Sequence, residues 1–224
     1  IMFNKSVKIT LFALCLAFFS QNTFAKDLDP LSPAELSKAV SLAAPEQATQ
    51  LAAMRGMAQA PAVVNELELL LVERRPVDKE QPGKRLADVY SYDYGSDETI
   101  HSIVDLNTQE RLQTERVQKM QLPLTDNELA RASKLIFNDP EQLVEIQTEY
   151  KRITGQSLLK PEQLQVKAFV FTMDSLPEGL NAASQHCGVQ RCAQVLLYTH
   201  DSVVFEISPI VNLSAGLVTQ NIGF

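Results

Sequence analysis

Histidine is scarce in this chain. There are three in 224 residues, His101, His186 and His200, and no two are spaced His-x-His. That leaves little for imidazole ligation or acid-base chemistry. A glycine-rich phosphate loop is missing, and so is a G-x-S-x-G elbow, which removes the common phosphate-binding and serine-hydrolase signatures. Lysine and arginine form no run, and the formal net charge is -7, so the basic footprint of a nucleic-acid or anionic-lipid binder is lacking. Beyond residue 25 no stretch approaches the ~20 consecutive apolar residues of a membrane span.

The beginning of the chain is different in kind. Residues 2 to 25, "MFNKSVKITLFALCLAFFSQNTFA", place Lys5 and Lys8 before an apolar run from Ile9 to Phe19, and end on small residues at 23 and 25. This is the layout of a secretory signal peptide cleaved after Ala25, and its apolar run is too short for an ordinary membrane helix. The remainder is expected to be periplasmic or secreted, with no stable membrane insertion. Cys15 lies inside the apolar run behind Leu14, a poor setting for a lipoprotein cysteine. The leader carries two lysines and no acidic residue, so the mature chain is more acidic than the whole.

What the sequence does contain is a repeat. "PLSPAELSKAVSL" at 30 to 42 and "PLTDNELARASKL" at 123 to 135 share P-L-[ST]-x-x-E-L-x-[KR]-A-x-x-L at a displacement of 93 residues. Each copy is a helix start with a capping box: Ser32 with Glu35, and Thr125 with Glu128. Pro33 suits the first helical position. "RLADVYSY" at 85 to 92 matches "RCAQVLLY" at 191 to 198, and "IVDL" at 103 to 106 matches "IVNL" at 210 to 213. Both halves then run in the same order: capped helix, apolar strand ("ELELLLVE" at 66 to 73, "LQVKAFVF" at 164 to 171), and three further strands on hairpin-length links. This pattern predicts an α+β fold of two tandem units, each a helix packed on an antiparallel β-sheet. The expected organisation is a signal peptide at 1 to 25, a first unit at 26 to 120 and a second at 121 to 224.

Between these motifs the sequence is less regular. Residues 44 to 62 are rich in Ala, Gln and Met and are expected to be helical. Residues 74 to 85 read as a polar loop. A second helix in the second half spans 141 to 155, after "NDP" and up to Gly155. Residues 174 to 188 read as a loop carrying Pro177 and Gly179.

Together "LDPLSPAELSKAV", "RLADVYSYDYGSDETIHSIVDLNTQERL", "QLPLTDNELARASKLIFNDPE" and "RCAQVLLYTHDSVVFEISPIVNL" resemble the paired small N-terminal domains of copper amine oxidases. The resemblance covers essentially the whole mature chain. It implies two cystatin-like units that supply no catalytic residue. The family's cofactor tyrosine lies in an Asn-Tyr-[Asp/Glu]-Tyr motif of its catalytic domain, whereas "SYDY" here has Ser91 at the Asn position. Its copper ligands include a His-x-His pair, which this chain lacks. The resemblance thus implies neither copper nor a self-derived quinone, and no cofactor is expected. Inhibitory cystatins use a Gln-x-Val-x-Gly hairpin, also missing here, so fold likeness does not carry protease inhibition.

Several residues remain as candidates. Strand alternation puts Tyr90, Tyr92 and Tyr94 on one face and Val89, Ser91 and Asp93 on the other, either packing on a sheet surface with hydroxyls at its edge or forming an aromatic ligand stripe. In an oxidising compartment Cys187 and Cys192 of "CGVQRC" are expected to form a disulfide that clamps the approach to the next strand. The alternatives are free thiols, or a metal site drawn from His186, Cys187, Cys192 and His200. Asp93, Asp97, Glu98 and Asp105 read as a solvated acidic turn without the calcium-loop pattern. The copies diverge most at 174 to 192, so partner contacts are expected on this loop and on the neighbouring strand at Tyr198 and His200.

The function expected from these features is an exported, non-catalytic protein- or ligand-binding module. One alternative is an accessory subunit of a separately encoded periplasmic oxidase. Another is an enzyme of unrelated chemistry, whose site would be a deep polar pocket with shifted ionisation.

Overall fold

A computed structural model describes residues 29–44, 67–77, 83–175 and 182–223. The expected signal peptide and helix beyond Ala44, together with Pro177 and Gly179, lie outside the described residues. The first unit is helix α1 (Pro33–Ala43) followed by β1 (Leu67–Arg75), β2 (Leu86–Asp93), β3 (Glu98–Asp105) and β4 (Glu110–Val117). The second is α2 (Asp126–Asn138), α3 (Pro140–Thr154), β5 (Leu164–Val170), β6 (Cys192–Thr199), β7 (Ile207–Asn212) and β8 (Leu217–Gly223). Each set of four strands forms one antiparallel sheet in sequence order. The expected α+β architecture of two tandem helix-on-sheet units is the one observed.

The helices begin where their caps place them. Ser32 and Thr125 each accept from the N-H three residues on, and Glu35 and Glu128 reach back to the cap backbone, closing both boxes. Asp139 caps α3, and Gly155, at φ 73°, ends it in the left-handed conformation that glycine adopts without a Cβ penalty. Helix α1 buries Ala39 and Ala43 against Ala87, Val89, Val104 and Leu106 of the first sheet. In the second unit α2 and α3 together cover their sheet: Ala132, Ile136, Ile146 and Tyr150 pack on Leu164, Ala193, Val195, Leu197 and Val211.

The repeat extends to irregularities. The β3–β4 register slips between Ile103 and Val104, and the β7–β8 register slips between Ile210 and Val211, at matching positions of the two IV[DN]L motifs. The units differ at the next corner. Strand β6 pairs with β7 only over Cys192, Ala193 and Gln194, after which the strands part. The carboxylate of Glu149 on α3 then takes the N-H groups of Glu206 and Ile207 that the ladder no longer pairs. Strand β1 runs on through Arg74 and Arg75, which the sequence places in a loop, because Arg75 reaches Asp88 across the sheet at 2.7 Å.

Candidate functional site

The three repeated motifs meet at one place in each unit. In the first, Arg85 donates through Nε to Glu35 Oε1 at 2.8 Å and through Nη2 to Oε2 at 3.1 Å, while Nη1 and Nη2 reach the carbonyls of Asp29 and Pro30. In the second, Arg191 donates to Glu128 Oε1 and Oε2 at 2.8 and 2.9 Å and to the carbonyls of Leu122 and Pro123. The backbone carbonyl of each arginine accepts the N-H of the leucine that ends the IV[DN]L motif, Leu106 or Leu213, at 2.8 Å. One guanidinium thus ties a helix cap, the preceding segment and two strands into a clasp. Its planar fork suits the bidentate pairing that a lysine would not make.

The clasps differ in what lies over them. The side chains of Arg191 and Glu128 are both 0% exposed, whereas Glu35 is 23% exposed. The cover on the second clasp comes from the first unit. Tyr94 donates its hydroxyl to Glu128 Oε1 at 2.6 Å and lies under the Arg131 guanidinium, 4.2 Å from its ring centroid. Tyr92 packs edge-on against Tyr94 and faces the Arg191 guanidinium at 5.7 Å. Glu68 Oε1 accepts from Thr125 Oγ1 at 2.7 Å and from Asn127 Nδ2 at 3.3 Å. Burial pushes Glu128 up, but its hydrogen bonds and charge contact with Arg191 outweigh this and hold the carboxyl below the usual range. Burial also raises the phenols of Tyr92 and Tyr94. Glu35 is held down to about 2, first by its hydrogen bond from Arg85 and then by the Ser32 N-H.

The tyrosines depart from the expected sheet-edge arrangement. Strand β2 ends at Asp93, so Tyr94 lies in the turn, and the second unit covers this end of the face. The hydroxyl of Tyr92 donates to Asp97 Oδ1 at 3.0 Å, and that of Tyr94 is spent on Glu128. Only Tyr90 keeps to the open sheet, stacked on His101 with ring centroids 4.5 Å apart. The sequence flagged Glu35 and Glu128 as cap residues and missed Arg85 and Arg191 as their partners. The available signal was that an acid and an arginine recur together in both copies.

Cys187 and Cys192 are joined by a disulfide with the α carbons 5.4 Å apart. It leads directly into β6, as expected, and occupies both sulfurs of the four-residue metal alternative. Part of the divergent loop is turned inward: the carbonyl of Val189 lies 3.4 Å from the Tyr92 hydroxyl, and Arg191 is in the clasp. The acidic residues of the first hairpin divide their roles. Asp93 and Glu98 pair with Arg116, Asp97 takes the Tyr92 hydroxyl, and Asp105 accepts from the N-H groups of Asn107 and Thr108.

Two further places bear on chemistry. On the sheet face away from α1, Asp88 Oδ1 contacts both Arg75 and His101 Nε2, and Glu115 Oε1 faces His101 Nδ1 at 3.0 Å. Both ring contacts are carboxylates, so the imidazole bridges acids rather than activating a nucleophile. Only strand register brings these residues together, a relation invisible in linear spacing. Beyond the end of α1 a cavity of about 300 Å³ is lined by Ser91, Ile100, Ser102, Arg111 and Arg116 among others. Its polar groups already have partners: Ser102 bonds Thr114, Arg111 the Ala43 carbonyl, and Arg116 its two carboxylates. Among the described residues no group of three or more His, Cys, Asp or Glu is arranged to hold a metal, and no helix is long and apolar enough to cross a membrane.

The remaining sequence candidates, Tyr198 and His200, lie at the corner beyond the end of the β6–β7 ladder, where Tyr198 is bridged to Val204. His200 Nε2 lies 3.0 Å from the Glu162 carbonyl, and Nδ1 lies 3.2 Å from Gln165 Nε2. Lys167 Nζ stands 5.6 Å from the Tyr198 ring. Beside them Val203 and Val204 are 42% and 57% exposed. This corner is the repeat counterpart of the one that carries Tyr92 and Tyr94, and among the described residues no unit covers it as the second unit covers those tyrosines.

No protein-family model matches the chain, and no curated protein matches it in sequence. Among solved structures it is similar to a copper-containing benzylamine oxidase from Hansenula polymorpha, with a TM-score of 0.55 and 13% sequence identity. The match covers 88% of this chain and 30% of that one, so the chain spans under a third of the oxidase's length. At this identity the likeness is one of fold, and it agrees with the resemblance carried by the repeated motifs. In fold, the chain is similar to part of a copper amine oxidase.

Proposed function

We propose that this chain is an exported, non-catalytic binding module whose partner contacts centre on the corner bearing Tyr198 and His200. The observation that carries the reading is the contrast between equivalent corners: one is buried on a neighbouring unit, and the other presents a tyrosine, a histidine and two exposed valines. Exposed apolar groups beside polar ones are a common makeup of an interaction site. The leader-like residues 2 to 25 and the Cys187–Cys192 disulfide support an oxidising compartment.

A second reading is favoured by the likeness to part of an amine oxidase: an accessory subunit that docks on a separately encoded oxidase. A neighbouring gene for an oxidase lacking these units would support it.

The test is to isolate the protein from the extracytoplasmic fraction of its own host. Intact mass should begin at Lys26, copper should be substoichiometric, and no quinone absorbance should appear. A chain retaining residues 1 to 25 would refute export, and stoichiometric copper or a quinone band would refute the non-catalytic assignment.

A further inference from the structure

We infer that the cavity beyond the end of α1 binds a small monocarboxylate with an apolar body, held at its mouth by Arg111. The site is separate from the Tyr198 corner and does not depend on the role proposed for it.

The repeat explains why there is space here. Val89 and Ser91 of "RLADVYSY" stand where the second copy has Val195 and Leu197, both 0% exposed in a core that includes Ile146 and Tyr150 of α3. Among the described residues the first unit has α1 alone, and past Ala43 its sheet face lines the cavity of about 300 Å³. That is the small end of the roughly 300–1,000 Å³ range of ligand pockets, which fits a small molecule. The face has also changed in character. Ser91 takes the place of a leucine, and Ser102, Thr114, Arg111 and Arg116 join it in the lining. A face built to take an apolar helix, as around Leu197, would not carry two guanidinium groups.

The lining sorts into two parts. Leu67, Val89 and Ile100 supply an apolar wall, and Val89 is buried. Arg111 is exposed although it lines the cavity, which places it at the mouth. Among the described residues the lining holds no carboxylate.

One edge of this arginine is fixed and another is available. Its Nη1 donates to the Ala43 carbonyl at 2.9 Å, which orients the side chain and covers the partial negative charge at the end of α1. Nε and Nη2 remain, and no carboxylate among the described residues pairs with them. Through the same two atoms Arg85 holds Glu35 and Arg191 holds Glu128. A ligand carboxylate can make that planar, bidentate contact. The ligand's charge is limited as well. Arg116 is taken by Asp93 and Glu98, whose own carboxylates repel any second negative charge. A monoanion with its apolar body directed toward Val89 satisfies both parts of the lining.

The experiment titrates the nitrogen-15-labelled, disulfide-intact chain with octanoate at neutral pH and follows the amide shifts by NMR. Octanoate should saturate with a Kd of about 0.1–1 mM, the range that a ligand of this size reaches. The shifts should centre on Ala44, Ser102, Arg111 and Thr114. Octylammonium, with the same chain and the opposite charge, should bind at least about tenfold more weakly, and Arg111→Met should lose octanoate affinity by a similar factor. Thr114→Trp fills the cavity from an exposed position on an edge strand and leaves the bond between Arg111 and Ala43 in place. It should also abolish binding, and it remains informative if Arg111→Met disturbs α1. No saturation below about 10 mM, the result expected if residues 45 to 66 fill the cavity themselves, would overturn the inference. Equal affinity for octylammonium, shifts centred elsewhere, or variants that bind like wild type would overturn it too. None of these outcomes bears on capture of a partner at position 198.

Discussion

Replacing Tyr94 by phenylalanine removes one oxygen from the contact between the units and leaves the ring in place beneath Arg131 and against Tyr92. The lost hydrogen bond is short, 2.6 Å, and runs from a largely buried phenol to a carboxylate whose side chain is 0% exposed. A hydrogen bond to a charged group contributes about 1.5–3 kcal/mol net. Glu128 keeps its two bonds from Arg191, so the loss should fall toward the lower part of that range, about 2 kcal/mol. For a chain of this length that corresponds to a fall of roughly 4–8 °C in Tm. Thermal and urea unfolding, followed by far-UV circular dichroism, measure it. A double-mutant cycle with Glu128→Gln isolates the pair, and the coupling should be about 1 kcal/mol or more. A change within about 1 °C, or an equal Tyr94→Phe penalty in both backgrounds, would show that the tyrosine does not hold the units together.

Other perturbations separate the two clasps. Thr125→Ala should cost more than Ser32→Ala, because both lose a helix cap of about 0.5–2 kcal/mol while Thr125 also loses its bond to Glu68; equal costs in urea titrations would count against the inter-unit contact. Acidification should loosen the first clasp: Glu35 titrates at about 2 when folded against 4.5 ordinarily, so its contribution is present above pH 4.5 and fades as pH falls toward 2. Solvent screening reduces that contribution at this partly exposed carboxylate, and Glu35→Gln should flatten the acid limb of the stability curve. Reduction of Cys187–Cys192, which closes a loop with a separation of five residues, should destabilise the chain by about 2 kcal/mol. Non-reducing peptide mapping should recover the linked pair, and two alkylatable thiols in the native protein would contradict it.

The fold was legible because its signals are local. Capping boxes, Gly155 and the alternating strands each act within a few residues, and the 93-residue repeat then fixed the same element order twice. The candidate contacts were only half legible for a physical reason. Glu35 and Arg85 are 50 residues apart, and Tyr94 and Glu128 are 34 apart, so neither pairing leaves a short-range pattern. The tyrosines were placed on a common face by alternation, but alternation cannot show that a second unit covers one end of that face. The same holds for Asp88, His101 and Glu115, which only the strand register brings together. Arg75 was assigned to a loop because its neighbours are polar, and its ion pair with Asp88 extends the strand past the point where local propensity fades.

The binding role of the second corner is tested most directly by site-specific photo-crosslinking in the native host. A benzophenone side chain is placed at position 198 or 200 and, as controls, at the exposed positions 112 and 144, where Leu112 and Val144 are 51% and 62% exposed. The account predicts discrete covalent adducts from 198 and 200, identifiable by mass spectrometry, with none from the controls. Adduct yields at 198 and 200 no greater than at 112 and 144 would contradict it.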